Sequence, residues 1–323
     1  MLDPQKFRRP VVFFANAIGD HLIALPAIRA LSNIFSGRLS LIAVREAYTE
    51  LFSEIPFESV WFIEPSDLAY SYTILMQKIA LVSFNYETLA KQASGCDLFI
   101  SLSKWTSPDF EHLFESLSPP ESIGFLPIFT YQLPEVSSNS FDAVFSIVHL
   151  FNLNVHIENF SNPPPIEPQN LSLVHSLRIC LNKEFKLLIV HSDTKKRKMW
   201  SSDRFLVAID KFLSFQSDYI AIIIGTFHEL PLESASHRNR IFDVCGIPLG
   251  LSFALLSVAD LFLGIDSCML HAADLFRVPG VGIFGPTDPK EWGFRFAPHK
   301  HISSNAIASI ASEQVIDALM SFC

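Results

Sequence analysis

Three stretches of the sequence bring together residues that bind or activate an anionic substrate. The longest is LGIDSCMLHAADLFRVPGVGIFGPTDP, residues 263–289. Asp266 and Ser267 follow an apolar run and precede a helical pattern, and the backbone N–H groups of such a helix start form a ready anion site. His271 falls four residues after Ser267, on the same side of that helix. A lone helical histidine is more often structural, but this one stands beside Asp266 and ahead of Gly285-Pro286-Thr287-Asp288-Pro289. That corner is stiffer than a connection requires, because both prolines fix φ and lack an N–H. Asp266, Ser267, His271, Thr287 and Asp288 are therefore expected to cluster at one sheet edge.

The second stretch is HSDTKKRKMW, residues 191–200. His191 ends an apolar strand, and the loop beyond it carries Lys195, Lys196, Arg197 and Lys198. Such a run usually means a solvated loop. Here it leaves the C-terminal end of a strand, where open α/β sheets hold anions. Ser192 and Thr194 add hydroxyl donors, one lysine is placed to reach a diphosphate, and Trp200 is expected to anchor the loop. The third stretch is AIGDHLIALPAIRAL, residues 17–31. Gly19 reads as the end of the first strand and Asp20 as the N-cap of the next helix, its carboxylate at the positive end of the dipole. At the mouth of a cleft such a carboxylate is also poised as a general base. Pro26 should bend or delay the helix.

The elements that must position these residues alternate. Strand-like runs occur at Val11–Ala15, Leu39–Val44, Val60–Ile63 and Leu98–Leu102, with helical patterns at His21–Phe35, Tyr70–Phe84 and Asp109–Leu117. After residue 170 the order resumes: helix Leu171–Leu181, strand Leu187–His191, helix Ser202–Phe215, strand Tyr219–Ile224, helix Leu249–Val258, strand Leu261–Ile265, helix Cys268–Phe276 and strand Val281–Phe284. Ala306–Phe322 reads as a closing amphipathic helix. Alternation of this kind argues for βαβ units and parallel sheets. Between the two series lies SNPPPIEPQN, residues 161–170, whose four prolines exclude helix and central strand and mark a linker. Two Rossmann-like halves facing each other make a cleft, and clefts between domains are where ligands usually bind.

A chain of 323 residues suits two domains. With 49% apolar and 18% charged residues, and 30 phenylalanines, it can bury a sizeable core. A net charge of −9 gives no general nucleic-acid footprint. The five cysteines form no CxxC, and an odd, scattered set fits a reducing compartment. The eleven histidines include no HExxH, so no metal site is expected. The basic MLDPQKFRRP, the apolar VVFF and Ala15-Asn16-Ala17 imitate a signal peptide, but the apolar run is too short and Pro10 opens it. No run has the length of a membrane span. The reading is a cytoplasmic protein, with peripheral contact at the inner face of the cytoplasmic membrane left open.

Together, the three stretches resemble glycosyltransferase family 9, which includes the lipopolysaccharide heptosyltransferases. The resemblance rests on Gly-Asp before a helix with Pro, on a strand ending in a hydroxyl-rich loop with Lys and Trp, and on an Asp-Ser helix start with His, followed by a strand and Gly-Pro-Thr-Asp-Pro. Order and spacing agree over nearly the whole chain. The fold implied is α/β of the GT-B type, two Rossmann-like doubly wound domains facing across a cleft. Residues 1–165 would form the acceptor-side domain and 166–323 the nucleotide-sugar domain, with the final helix a candidate to pack back on the first.

By the same resemblance, Asp20 is the catalytic base, Lys198 binds the donor phosphates, Thr194 lies near them, and Asp266 holds the donor sugar beside His271. Glu229, in Gly225-Thr-Phe-His-Glu, resembles the acid on the nucleotide ribose. The implied reaction is inverting transfer of a sugar, in the family a heptose, from a nucleotide-diphosphate donor, an ADP-sugar by resemblance. The acceptor would be a hydroxyl of a glycan or lipid-linked glycan in lipopolysaccharide or surface-glycan assembly. No tightly bound cofactor or metal is implied. Two departures stand out: Cys268 replaces a glycine of the family, and Asp193-Thr194 replaces a Thr-Thr pair. An extra carboxylate beside a diphosphate is unfavourable unless it points away or holds a cation. A non-catalytic GT-B protein that binds nucleotide-sugars or serves as a scaffold, and a nucleotide-sugar epimerase, are the alternatives.

Overall fold

The structure, a computed structural model, describes residues 1–63, 84–134, 138–181, 184–227 and 230–323. It divides into two compact units, Met1–Asn162 and Pro163–Cys323, and the division falls within the proline-rich stretch. The helix expected over Tyr70–Phe84 lies, but for its last residue, outside the described residues.

Strands β1 (Pro10–Phe14), β2 (Ser40–Ala43), β3 (Val60–Phe62), β4 (Leu98–Ser101), β5 (Glu121–Gly124) and β6 (Tyr131–Gln132) form the sheet of the first unit. Their order is β3-β2-β1-β4-β5-β6, and every pairing is parallel. β1, β2 and β4 are buried along their whole length, which is why they read as continuous apolar runs rather than alternating ones. Phenylalanines fill one side of this sheet: Phe13 meets Phe110 edge-on at 4.9 Å and stacks on Phe99 at 6.2 Å.

After β1 the chain enters helix α1 (Ile18–Ile34), which runs on through Pro26. The helix begins before Gly19, so Gly19 is not the strand end and Asp20 is not the N-cap; Ala17 takes that place without a side-chain bond. Asp20 sits in the first turn instead, where its charge still meets the positive end of the dipole. Further helices among the described residues of this unit include α2 (Tyr86–Gln92), α3 (Pro108–Leu117) and α4 (Ser140–Phe145).

The second unit repeats the design. It begins with α5 (Pro168–Cys180), and its sheet contains β7 (Lys186–His191), β8 (Tyr219–Ile224), β9 (Ile241–Asp243), β10 (Leu261–Ile265), β11 (Gly280–Phe284) and β12 (His299–Ser303). The order is β12-β11-β10-β7-β8-β9, again all parallel. Around it lie α6 (Ser202–Phe215), α7 (Leu249–Leu256), α8 (Cys268–Leu275), α9 (Pro289–Trp292) and α10 (Ser312–Met320). The closing helix is shorter than the sequence pattern suggests. Gln314 Oε1 accepts the N–H of Ala311 at 3.0 Å and fixes its start, while Ile307–Ser309 make a separate 3₁₀ turn. α10 packs on α6 and β11.

Each sheet reverses its direction of winding at its centre, between β1 and β4 in one and between β7 and β10 in the other. Open α/β sheets bind ligands outside the carboxyl ends of the strands at such a point. At the second reversal Gly264 of β10 lies beside His191 of β7 and Gly282 of β11. An added Cβ at Gly264 would come within 2.5 Å of the Phe262 ring, so any side chain there would force that buried ring to move.

The end of α8 is stitched to the chain beyond α9 by Asp274, which is fully buried. Its carboxylate accepts the N–H groups of Arg295, Phe296 and Ala297 at 2.7, 2.8 and 2.7 Å. Burial pushes its carboxyl up, and the three donors pull it back down. Removing the acceptor strands three N–H groups, each costing ~1–3 kcal/mol if left dry. Asp274→Ala should lower the free energy of urea unfolding by at least about 3 kcal/mol. A loss below ~1 kcal/mol would contradict this role.

Candidate functional site

At the carboxyl ends of β7, β10 and β11, three segments far apart in sequence meet on one carboxylate. Asp266, only 3% exposed, follows β10. Its Oδ2 accepts from Lys198 Nζ at 2.5 Å and from Thr287 Oγ1 at 2.7 Å. Its backbone carbonyl accepts from Thr194 Oγ1 at 3.1 Å. Thr194, Lys198, Asp266 and Thr287 thus form one hydrogen-bonded group. Lys195, Lys196 and Arg197 stay exposed, and Lys198, partly buried, is the member of the basic run that turns inward. A 3₁₀ turn at Lys196–Lys198 brings it round. Trp200 anchors the far end of the loop, buried, with its indole N–H donated to the carbonyl of Ile310 at 3.1 Å.

The stiff corner after β11 positions Thr287. Asp288 accepts the N–H of Lys290 at 2.9 Å and caps α9, with Pro289 at the first helical position. Asp288 is thus exposed and bound locally, while Thr287 enters the shared group. Ser267 is the N-cap residue of α8, and its hydroxyl shares a hydrogen bond of 3.0 Å with His191 Nδ1 rather than capping the helix. That role for His191 was legible only as a histidine at a strand's carboxyl end. His271 is buried one turn into α8; burial pushes its imidazole down to about 4, with Asp266 pulling upward and Lys198 downward. His191 is likewise driven to about 4 by burial against the pull of Asp193. Both rings are neutral at neutral pH. Glu229 lies outside the described residues.

The two departures from the family pattern have physical outcomes here. Asp193 turns its carboxylate to the next loop, where Oδ2 accepts the N–H of Thr226 at 3.0 Å. It is engaged as a backbone clamp on the β8 side. Burial pushes the Cys268 thiol up to about 11, so it stays protonated and adds no negative charge.

In the first unit, the reversal point carries a polar group of its own. Asn16 Oδ1, just past β1, accepts from Ser103 Oγ and Trp105 Nε1, both at 2.9 Å, and these follow β4. Asp20 lies partly buried in the first turn of α1. Its neighbour His21 is fully buried, with Nδ1 at 2.9 Å from the Ala17 carbonyl and its ring between Phe14 and Phe52. Burial drives it to about 4, opposed by that carbonyl. Among the described residues, no group of three or more His, Cys, Asp or Glu could hold a metal ion.

Residues 167–317 match the model of glycosyltransferase family 9 (heptosyltransferase). The chain carries a glycosyltransferase family 9 domain. The matched segment contains the Thr194–Lys198–Asp266–Thr287 group, and no curated protein sequence matches the chain. Among solved structures, it is similar to a glycosyl transferase family 9 protein from Veillonella parvula DSM 2008, with a TM-score of 0.75 at 17% identity, covering 98% of this chain and 97% of that one. It is also similar to the E. coli ADP-heptose lps heptosyltransferase II, with a TM-score of 0.69 at 13% identity and coverage of 97% and 98%. The E. coli heptosyltransferase WaaC with ADP follows with a TM-score of 0.66 at 13% identity, covering 98% and 100%. The fold is GT-B, and the domain is that of a glycosyltransferase.

Three neutral, buried histidines make stability depend on acid. Folded His21, His191 and His271 titrate at about 4, below the ordinary 6.5. Between those values the unfolded chain takes up protons that the folded chain refuses, so stability is full above 6.5 and falls as the pH drops. The slope is up to about 1.4 kcal/mol per pH unit for each ring. Phenylalanine fits the aromatic surroundings of His21 and cannot titrate. Urea unfolding from pH 7 to 5 should weaken the wild type steadily and His21→Phe less steeply, by about 1.4 kcal/mol per unit. A pH-independent wild type would contradict the burial of these rings.

Proposed function

We propose that this protein is an inverting glycosyltransferase that moves a sugar from a nucleotide-diphosphate donor to a hydroxyl of a glycan or lipid-linked glycan. Heptose is the sugar named in the description of its family, and the similar E. coli WaaC was solved with ADP, which supports an ADP-heptose-type donor and a role in lipopolysaccharide or surface-glycan assembly. The observation that carries the reading is the hydrogen-bonded Lys198–Asp266–Thr287 group, built on a buried aspartate, at the reversal point of the second sheet.

Each residue has a role in this reading. Lys198 keeps donor capacity beyond its bond to Asp266, since an ammonium has three N–H groups. With Thr194 and the helix start at Ser267, it meets the donor phosphates and stabilises the charge that grows on the leaving diphosphate. Asp266 Oδ2 holds this frame, and Oδ1 accepts from the sugar hydroxyls. His271 and Thr287 fix the orientation of Asp266, and Asp288 holds the corner that carries Thr287. Glu229 is assigned to the ribose. Asp20 removes the proton of the acceptor hydroxyl as its oxygen attacks the anomeric carbon and the bond to the diphosphate breaks. Attack opposite the leaving group inverts that carbon.

General-base removal costs ~10²–10⁴-fold in rate. Asp20→Asn should therefore lose at least ~100-fold of sugar transfer while binding nucleotide as the wild type does. A variant with wild-type turnover would refute the role of Asp20.

A further inference from the structure

The diphosphate frame spans β10 and β7, and the neighbour of β7 on its other side is β8. The loop leaving the carboxyl end of β8 begins Gly225-Thr226-Phe227. Phe227 is 51% exposed. The other large apolar side chains exposed in this unit lie on α5, on α6 or within β9. Among the described residues of the unit, Phe227 is thus the one placed in water at a strand's carboxyl end.

The backbone of the two residues before Phe227 is held from two sides. Asp193 Oδ2 accepts the N–H of Thr226 at 3.0 Å, and the N–H of Gly246 donates to the carbonyl of Gly225 at 2.8 Å. Gly225 has φ +153, and an added Cβ there would lie 3.3 Å from Asp193 Cβ and 3.7 Å from Cys245 Sγ. Asp193 directly precedes Thr194 of the diphosphate frame, so one residue ties the frame to the loop. Adjacent strands lie about 4.8 Å apart, so the end of β8 is about 10 Å from that of β10. That is the reach a ribose gives between a diphosphate and its base. A rigidly based aromatic face at that distance suits a flat π-system, since bases stack on aromatic side chains whatever their identity.

We infer that Phe227 is the platform on which the base of the nucleotide donor stacks, an inference that rests on the nucleotide-diphosphate reading of the adjoining frame. The clamp by Asp193 then has a purpose: it presents the ring without a folding step on binding. The carboxylate that departs from the family pattern serves the base rather than opposing the phosphates.

The test is calorimetric titration of wild type, Phe227→Ala and Phe227→Trp with ADP and, separately, with inorganic pyrophosphate. Stacking on one aromatic residue is worth ~1–3 kcal/mol per base, so Phe227→Ala should bind ADP about 5- to 150-fold more weakly. Pyrophosphate affinity should stay within twofold of wild type, and Phe227→Trp should restore ADP binding. ADP affinity unchanged in Phe227→Ala, or a parallel loss of pyrophosphate binding, overturns the platform. A wild type that binds pyrophosphate but not ADP also overturns it, and one that binds neither overturns the nucleotide reading itself.

Discussion

A carboxylate out of water needs a cation and hydrogen-bond donors, and Asp266 obtains both from segments distant in sequence. Lys198 lies 68 residues away and Thr287 21 residues away, yet both reach the same oxygen. Breaking such a pair by removing one partner is far costlier than the pair is worth as a net stabiliser. The loop after β7, the start of α8 and the corner after β11 are therefore held together by one shared aspartate. The same geometry leaves lysine N–H groups, a serine and a helix start near one another, which is what a diphosphate needs.

Topology explains why this charge sits where it does. Right-handed βαβ crossovers wound outward in both directions leave a gap between the first turns of adjacent helices. In the second unit that gap is framed by the loop after β7 and the start of α8; in the first it is framed by the Asn16–Ser103–Trp105 group. Both units thus put polar chemistry at the one place where a buried parallel sheet exposes strand ends. The strands themselves supply apolar mass, and the chemistry falls to the residues immediately after them.

Much of this was legible in the sequence, for a physical reason. Buried parallel strands must be continuous apolar runs, and Tyr219–Ile224 and Leu261–Ile265 are found with the bounds their patterns give, as is the amphipathic helix Ser202–Phe215. What was missed lacks that signal. β12 is the half-exposed edge strand HKHIS, and β6 and β9 have two and three residues. Asp20 was misjudged as a cap because Gly19 suggests a turn, whereas the helix takes Gly19 into its first turn at modest cost. At the site, types and spacing pointed to Asp266 and Thr287, and the family resemblance singled out Lys198 from the basic run. The direction of Asp193 was not readable, because whether a carboxylate faces a phosphate or a backbone N–H depends on the β8 loop beside it. Asp288, expected in the cluster, instead caps α9 ahead of Pro289.

The central claim is that the Lys198–Asp266 frame holds the diphosphate of a nucleotide. The most direct measurement is calorimetric titration of ADP into the wild type and into Lys198→Met, with circular dichroism confirming that the variant is folded. The account predicts saturable binding to the wild type and at least a tenfold loss in the variant, the least expected from one charge-assisted hydrogen bond. Equal affinity in the two proteins would contradict it.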